Sequence, residues 1–206
     1  MSVAWPVILI ATTNRGKIRE ITQALAGLSV DWRTLSQLPA TPEPDETGTS
    51  FAENARIKAC AYAAASGLPT VAEDSGLAID ALHGRPGVLS ARYPGATYAE
   101  KFAGLYRELT PHPRPWPAHF IAALAFAVPD PGPPSVIYEC EGVVNGEIVP
   151  APRGSSGFGY DPIFAYTSDG RTGGELSDDE KLMISHRGRA FRQFREWLEG
   201  AQTLSG

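Results

Sequence analysis

The stretch TTNRGK, residues 12–17, suits chemistry on an anionic ligand, because it follows an apolar run (VILI) and opens a helical pattern. Unpaired backbone amides at the start of a helix lie at the positive end of the helix dipole and bind anions such as phosphate. Thr12, Thr13 and Asn14 add side-chain donors, and Lys17 adds a positive charge. The stretch lacks the glycine spacing of a Walker loop. The alternative is an ordinary helix cap that leaves Lys17 in solvent.

Carboxylates follow in two further stretches, with Glu46 in PDETG and with Glu73 and Asp74 in AEDSG. Adjacent carboxylates at the end of a buried strand repel each other and lose hydration, so they need a compensating cation. Mg²⁺, with carboxylate and phosphate oxygens as ligands, suits such a site. A carboxylate that is not fully committed to a metal can accept a proton from water as a general base. The alternative is that Glu73 and Asp74 only cap a turn.

A glycine-rich loop, GFGYDP, and the later stretch KLMISHRGR form the last candidate group. The loop displays Phe158, Tyr160 and Asp161, an aromatic face and an acceptor that suit a flat heterocycle with polar edges. The later stretch offers three donors: Ser185, His186 and Arg187. Arginine cannot accept a hydrogen bond, so an arginine at a base edge favours a carbonyl over an amino group. The alternatives are a tight turn and a basic helix start on the surface.

The hydrophobic spacing predicts the elements that carry these residues. A strand over 7–11 is followed by a helix over 16–28 and a helix over 50–66 that is closed by Gly67. The segment 69–82 is predicted to hold a strand, an acidic turn and a second strand, and a helix over 96–109 follows it. Two long strands, FIAALAFAV and SVIYECEGVVNGEIV, then form a hairpin, and the chain is helical from Ser177 onward. Phe191, Phe194, Trp197 and Leu198 are expected to pack inward. The Pro-rich segment 111–117 is expected to run over the surface. Such mixing of strands and helices indicates an α/β or α+β protein with a mixed sheet.

Length and composition limit the protein class. The 206 residues suit a single domain over 1–206, with Pro-rich loops that separate lobes of that domain. A net charge of −5 argues against a general nucleic-acid or membrane-surface binder, so an anionic ligand needs local cations or a metal. Cys60 and Cys140 are far apart and indicate reduced thiols. With no signal peptide in the sequence, a cytoplasmic location is expected.

Five strings, in this order, resemble the Ham1-like inosine triphosphate pyrophosphatases: TTNRGK, ETGTSFAENARIKA, AEDSGLAIDALHGRPGVLSARYPG, GSSGFGYDPIF and EKLMISHRGRA. They cover nearly the whole chain. The resemblance implies an elongated α/β fold with a mixed central β-sheet flanked by helices, a cleft between two lobes, and a homodimer. It also implies Mg²⁺-dependent hydrolysis of ITP, dITP and XTP to the monophosphate and pyrophosphate.

Carried over position by position, the resemblance implies three groups of residues. The triphosphate would be bound by Thr12, Thr13, Asn14, Arg15, Gly16, Lys17 and Lys58. Glu46 and Asp74 would hold Mg²⁺, with Asp74 also the catalytic proton acceptor and Ser75 a substrate contact. The base and sugar would be bound by Phe158, Gly159, Tyr160, Asp161, Lys181, His186 and Arg187. Family members often carry two aspartates before the serine. Here the first is Glu73, a further candidate metal ligand.

Two other functions use similar residue types. One is a regulator that binds a nucleotide without cleaving it, although pure phosphate binders avoid carboxylates beside the anion. The other is a phosphatase that removes the terminal phosphate, which only the released product distinguishes from a pyrophosphatase. The assignment of Arg187 to the base predicts that Arg187→Ala damages turnover of ITP far more than folding.

Overall fold

The computed structural model describes residues 5–168 and 170–204, which form one six-stranded sheet and five α-helices among short 3₁₀ turns. The strands are β1 (Val7–Ile10), β2 (Asp31–Thr34), β3 (Thr70–Ile79), β4 (Pro117–Val128), β5 (Ser135–Ile148) and β6 (Phe164–Tyr166). The helices are α1 (Arg15–Ala24), α2 (Phe51–Ser66), α3 (Tyr98–Leu109), α4 (Asp178–Ile184) and α5 (His186–Leu204). None of the helices described is long and apolar enough to cross a membrane.

The strand order is β2-β1-β3-β4-β5-β6, and the sheet is mixed as predicted. β1 runs parallel to both β2 and β3, whereas β5 and β6 are antiparallel. In the β1–β3 pair, Ile10 lies opposite Val71, and the amide of Ala11 donates to the carbonyl of Val71 at 2.9 Å. The residues that follow β1 therefore run beside the Glu73–Asp74 stretch of β3. This register brings two of the predicted chemical motifs together.

Local sequence signals account for the ends of the helices. Ser50 caps α2 by accepting from the amide of Glu53, and Gly67 ends the helix in the left-handed conformation with φ 66°. α1 ends at Ala24, before the predicted end, and Gly27 follows it with φ 86°. The predicted C-terminal helix is two helices, because Ser185 between α4 and α5 has extended backbone angles.

Two compact units divide the chain, and each has its own apolar core. The first unit comprises the chain up to Asp74, 122–142 and the chain from Arg187 onward. Its core joins residues of β1, α1, β3, β4 and α5 and the residue that caps the end of α1: Ile8, Ile10, Ile21, Leu25, Val71, Leu124, Phe126, Phe191, Phe194 and Leu198. The predicted inward residues of α5 are confirmed, with Trp197 partly buried against the same cluster.

The second unit comprises 75–121 and 143–186, and its core includes Leu77, Phe102, Leu105 and Phe164. Trp116 also belongs to this core, although the sequence placed its Pro-rich segment on the surface. Most of that segment is exposed, but the Trp116 ring is buried and its Nε1 donates to the carbonyl of His112 at 3.0 Å. The loop is therefore held at its end by one aromatic anchor.

Both cysteines are free and partly buried, in agreement with the expected reduced thiols. Cys140 Sγ donates to the carbonyl of Ala190 at 3.3 Å. Burial raises the pKa of the Cys140 thiol to about 11, so the thiol stays protonated at neutral pH.

The segment 69–82 corrects the sequence-based prediction of two strands joined by an acidic turn. It contains one ten-residue strand, β3, that includes Glu73, Asp74 and Gly76. Gly76 marks a close approach rather than a turn, because a Cβ there would lie 2.4 Å from Ser90 Oγ and 2.7 Å from the carbonyl oxygen of Gly87. Ser90 Oγ in turn accepts from the amide of Leu77 at 2.9 Å.

We predict that Gly76→Ala lowers the free energy of unfolding by about 1–3 kcal/mol, because the added methyl overfills the contact with Ser90. Urea unfolding followed by circular dichroism measures the change. Gly132→Ala is the matched control, since a Cβ at Gly132 meets nothing within 4 Å. Equal midpoints for the two variants would show that the neighbours of Gly76 move aside without cost.

Candidate functional site

The start of α1 is capped by one of the predicted anion-binding side chains. Asn14 Oδ1 accepts from the amides of Gly16 at 2.9 Å and Lys17 at 3.1 Å, and Thr12 Oγ1 accepts from the amide of Asn14 at 3.2 Å. Asn14 therefore acts as an ordinary helix cap, as the alternative expected. Lys17 departs from that alternative, because its Nζ lies 3.2 Å from Glu73 Oε1 and its side chain is only 16% exposed.

Exposed donors at the same helix start border a pocket in the first unit with a volume of about 580 Å³. The predicted residues Thr12, Thr13 and Arg15 are among its lining. The other lining residues come from α1, α2 and the chain after β2: Ile18, Leu35, Ser36, Ala40, Thr41, Glu43 and Tyr62. TTNRGK thus presents hydroxyl groups and a guanidinium to a concave surface, where they can contact a polar ligand.

Glu73 and Asp74 point to opposite faces of the sheet, because successive side chains alternate along a strand. Glu73 shares its face with Val71, which packs in the core with α1 and α5. Asp74 faces α2 and contacts Asn54 and Lys58. The alternative that these two carboxylates cap a turn is therefore wrong. They form hydrogen bonds with different residues, although the charges of Lys17 and Lys58 act on both carboxylates.

Arg187 is the main partner of Glu73. Its Nε and Nη2 donate to the two oxygens of Glu73 at 2.6 and 3.1 Å, and its Nη1 donates to Glu20 Oε2 at 2.5 Å. The three residues are almost fully buried. Burial disfavours the guanidinium charge, but Glu73 and Glu20 outweigh burial and raise the pKa of Arg187. Arg187 is thus a structural cation in this conformation, and its predicted contact with the base stays a prediction.

Glu20 was missed by sequence reasoning. It lies three residues after Lys17 on α1, so the two side chains share a helix face. Its spacing of three residues from Lys17 was the available signal, because a carboxylate and an ammonium with this spacing can pair on one helix face.

Lys17 lies at the edge of this buried network. Burial lowers the pKa of the Lys17 ammonium, and Glu73 opposes that change while the charge of Arg187 adds to it. An ammonium held at a reduced pKa gains charge stabilisation when a further anion arrives. Lys17 is therefore suited to meet an anionic ligand next to the pocket-lining Thr12.

Lys58 joins two of the predicted metal ligands. Its Nζ lies 2.8 Å from Glu46 Oε1 and 3.1 Å from Asp74 Oδ1, and Asn54 Nδ2 donates to Asp74 Oδ2 at 3.2 Å. Burial lowers the pKa of Lys58, but Asp74 and Glu46 outweigh burial, so the net pKa is raised and the ammonium stays charged. The structure thus brings Glu46, Lys58 and Asp74 together, and the roles that the family resemblance implies for them stay predictions.

Glu46 and Asp74 fit Mg²⁺ in the chemistry of their donor atoms, because both offer carboxylate oxygens, and these oxygens are close enough to contact the same Lys58 ammonium. Among residues 5–168 and 170–204, no group of three or more His, Cys, Asp or Glu side chains could hold a metal alone. A magnesium ion with one or two carboxylate ligands keeps waters or takes substrate phosphate oxygens. The residues therefore suit a metal that is bound together with a phosphorylated ligand.

In the second unit, three of the residues predicted for the base form one cluster. Lys181 Nζ lies 2.5 Å from Asp161 Oδ2 and 4.7 Å from the centroid of the Phe158 ring. The amide of Phe158 also donates to Asp161 Oδ2, at 2.7 Å. Asp161 thus fixes both Phe158 and the ammonium that lies over its ring.

The other predicted residues of this unit make further contacts within it or are described by their backbone and burial. Tyr160 is a core residue whose hydroxyl donates to the carbonyl of Ser90 at 2.8 Å. His186 stacks on Phe120 with ring centroids 4.7 Å apart. Gly159 has φ 68°, and Ser75 is a half-buried residue of β3. Their contacts with a ligand stay predictions.

Comparison with known proteins adds a family. The model of the Ham1 family matches residues 8–197. The dITP/XTP pyrophosphatase of Geobacillus kaustophilus is 45% identical over 195 residues, which cover 93% of this chain and 94% of the relative. The protein of the same name from Deinococcus deserti is 44% identical over 184 residues, 89% of this chain and 85% of the relative.

Solved structures agree with the fold. A HAM1 protein from Coxiella burnetii superposes with a TM-score of 0.85 at 40% identity, covering 94% of this chain and 98% of that chain. The Ham1 protein of Staphylococcus aureus gives a TM-score of 0.83 at 34% identity, covering 95% and 99%. The predicted α/β class and family are therefore confirmed.

We predict that Arg187→Ala lowers the free energy of unfolding by about 3–5 kcal/mol, because it removes the guanidinium that the buried Glu20 and Glu73 both contact. Urea unfolding gives the loss. Arg56→Ala is the control, because the Arg56–Glu139 pair is exposed and is worth about 0–1 kcal/mol.

The sequence-based expectation was different, because it had Arg187→Ala damage turnover of ITP far more than folding. If Arg187→Ala loses no more stability than Arg56→Ala but loses turnover, the result would contradict the structural role and support a contact of Arg187 with the ligand.

Proposed function

The chain belongs to the Ham1 family, and on this premise we propose that it hydrolyses the non-standard purine nucleoside triphosphates dITP, ITP and XTP to the monophosphate and pyrophosphate. The names of the relatives supply dITP and XTP as substrates. The observation that carries the proposal is the contact of Lys58 with both Glu46 and Asp74, in the same unit as a pocket lined by Thr12, Thr13 and Arg15.

Local cations support binding of a triphosphate to a protein whose net charge is −5. Arg15 lines the pocket, Lys17 lies 3.2 Å from Glu73 Oε1 and Lys58 lies 3.1 Å from Asp74 Oδ1, and the charges of the two ammonium groups interact. Phosphate oxygens of the substrate would take the place of some of the carboxylate oxygens that these ammonium groups now contact. We therefore assign the triphosphate to residues 12–17 and Lys58.

We propose that Glu46 and Asp74 hold Mg²⁺ together with the substrate. A bound Mg²⁺ supplies charge stabilisation to phosphoryl oxygens in the transition state. Lys58 contributes positive charge at the same place, because it contacts both carboxylates. Glu73 is not part of this metal site in our proposal, since both of its oxygens contact Arg187.

Asp74 is the proposed proton acceptor. As a water oxygen bonds to the α-phosphorus, the bond from that phosphorus to the pyrophosphate oxygen breaks, and a water proton passes to Asp74. The protein contributes mainly by positioning and by electrostatic stabilisation. Attack at the α-phosphorus leaves pyrophosphate intact, in agreement with the names of the relatives.

Phe158 and Lys181 are the residues that we propose for the base. The Phe158 ring offers an aromatic face, and an ammonium is a donor without an acceptor. A donor suits the 6-oxo group of hypoxanthine or xanthine, whereas the amino group of adenine leaves it unsatisfied at a cost of about 1–3 kcal/mol.

A homodimer and a cytoplasmic location stay predictions from the family resemblance and the sequence.

We predict that the protein releases pyrophosphate from dITP and ITP in the presence of Mg²⁺, with little product from ATP or GTP. Separate assays for pyrophosphate and inorganic phosphate identify the bond that is cleaved. Chelation by EDTA should abolish release, and excess Mg²⁺ should restore it.

Each other outcome selects a different function. Free phosphate as the first product would make the protein a terminal phosphatase that uses the same residues. Binding of ITP, seen as a shift in thermal unfolding, without either product would favour a regulator.

A further inference from the structure

Asn54, on the first turn of α2, is only 2% exposed, and both the oxygen and the nitrogen of its side-chain amide form hydrogen bonds. Its Oδ1 accepts from the amide of Gly48 at 2.8 Å, and its Nδ2 donates to Asp74 Oδ2 at 3.2 Å. The residue therefore connects the chain before α2 with the carboxylate of β3.

The orientation of this amide follows from its partners. The backbone N–H of Gly48 can only donate, so it requires the oxygen of Asn54, and the nitrogen must then face Asp74. Close packing holds the contact, because a Cβ at Gly48 would lie 2.6 Å from Asn54 Oδ1. A reversed amide would place two acceptors together at Asp74 and two donors together at Gly48.

Both carboxylate oxygens of Asp74 therefore have a partner. Oδ2 accepts from Asn54 and Oδ1 contacts the ammonium of Lys58. The same Lys58 contacts Glu46, which lies two residues before Gly48. Asn54 thus fixes the carboxylate of Asp74 and also the segment that carries Glu46.

We propose that Asn54 is a positioning residue for the hydrolysis, which holds the Asp74 carboxylate in the orientation for accepting a proton. This inference rests on the proposed function. Asn54 acts through Asp74 and does not itself contact the substrate. Loss of such a supporting contact lowers activity by about 10- to 100-fold.

Two substitutions test the two ends of the amide. Asn54→Leu has a similar size and removes both hydrogen bonds, whereas Asn54→Asp keeps an acceptor for Gly48 but loses the donor to Asp74. We expect kcat for dITP to fall about 10- to 100-fold in both variants. The Kd of an α,β-methylene analogue of dITP, measured by calorimetry without Mg²⁺, should stay within about threefold of the unsubstituted protein, because residues 12–17 and Lys58, which are proposed to hold the triphosphate, are unchanged.

Glu53→Ala is the matched control, because Glu53 holds the same segment without contacting Asp74. Its Oε2 accepts from the amide of Thr49 at 2.6 Å. We expect this variant to keep kcat within about threefold while it loses some stability. All assays are run below the thermal transition of each variant, and circular dichroism confirms the folded state.

Three results would overturn the inference. Unchanged kcat in both Asn54 variants, beside normal pyrophosphate release by the unsubstituted protein, overturns the role of Asn54 and leaves the proposed function intact. An equal fall of kcat in Glu53→Ala assigns the effect to the segment rather than to Asp74. An unsubstituted protein that releases no pyrophosphate from dITP overturns the proposed function, and this inference with it.

Discussion

The alternation of side chains along β3 is the constraint on which the rest of the site depends. Because Glu73 and Asp74 are neighbours on an extended strand, they point to opposite faces and form their hydrogen bonds with different residues. Glu73 is bound by Arg187 from α5 and lies 3.2 Å from Lys17 of α1, while Asp74 meets α2. A turn at this position would have placed both carboxylates in one cluster. The strand instead separates a buried structural ion pair from a site that suits chemistry.

Buried charges explain why these contacts are so closely matched. Breaking a buried pair leaves a desolvated charge and costs several kcal/mol, even where the intact pair adds little net stability. Glu20 and Glu73 share Arg187, and Glu46 and Asp74 share Lys58. The second arrangement retains two carboxylates and an ammonium at one point, where an incoming triphosphate and metal can exchange partners with them. In the function that we propose, Arg187 keeps its contacts with Glu20 and Glu73 when the triphosphate and metal bind.

Much of this molecule could be predicted from its sequence. Ser50 and Gly67 gave the ends of α2 because capping is local, and the mixed sheet followed from the order of the elements. The association of Glu46 and Asp74 followed from the motifs and the family resemblance. The continuity of β3 could not be predicted, because Gly76 is required by the close approach of Ser90, which lies far from it in sequence. Glu20 and Asn54 were missed for a related reason, since their roles depend on tertiary partners on other elements.

Comparison of Glu73→Gln with Asp74→Asn would test most directly the claim that the two neighbouring carboxylates do different work. Both changes keep size and remove one charge. We expect Glu73→Gln to lose more stability in urea unfolding than Asp74→Asn, because both Glu73 oxygens bind Arg187 whereas one Asp74 oxygen contacts Lys58, which keeps Glu46 as a partner. We expect Glu73→Gln to retain most of its kcat for dITP and Asp74→Asn to lose it. The opposite pattern, or equal losses of kcat in both variants, would contradict the division of roles between the two faces of β3.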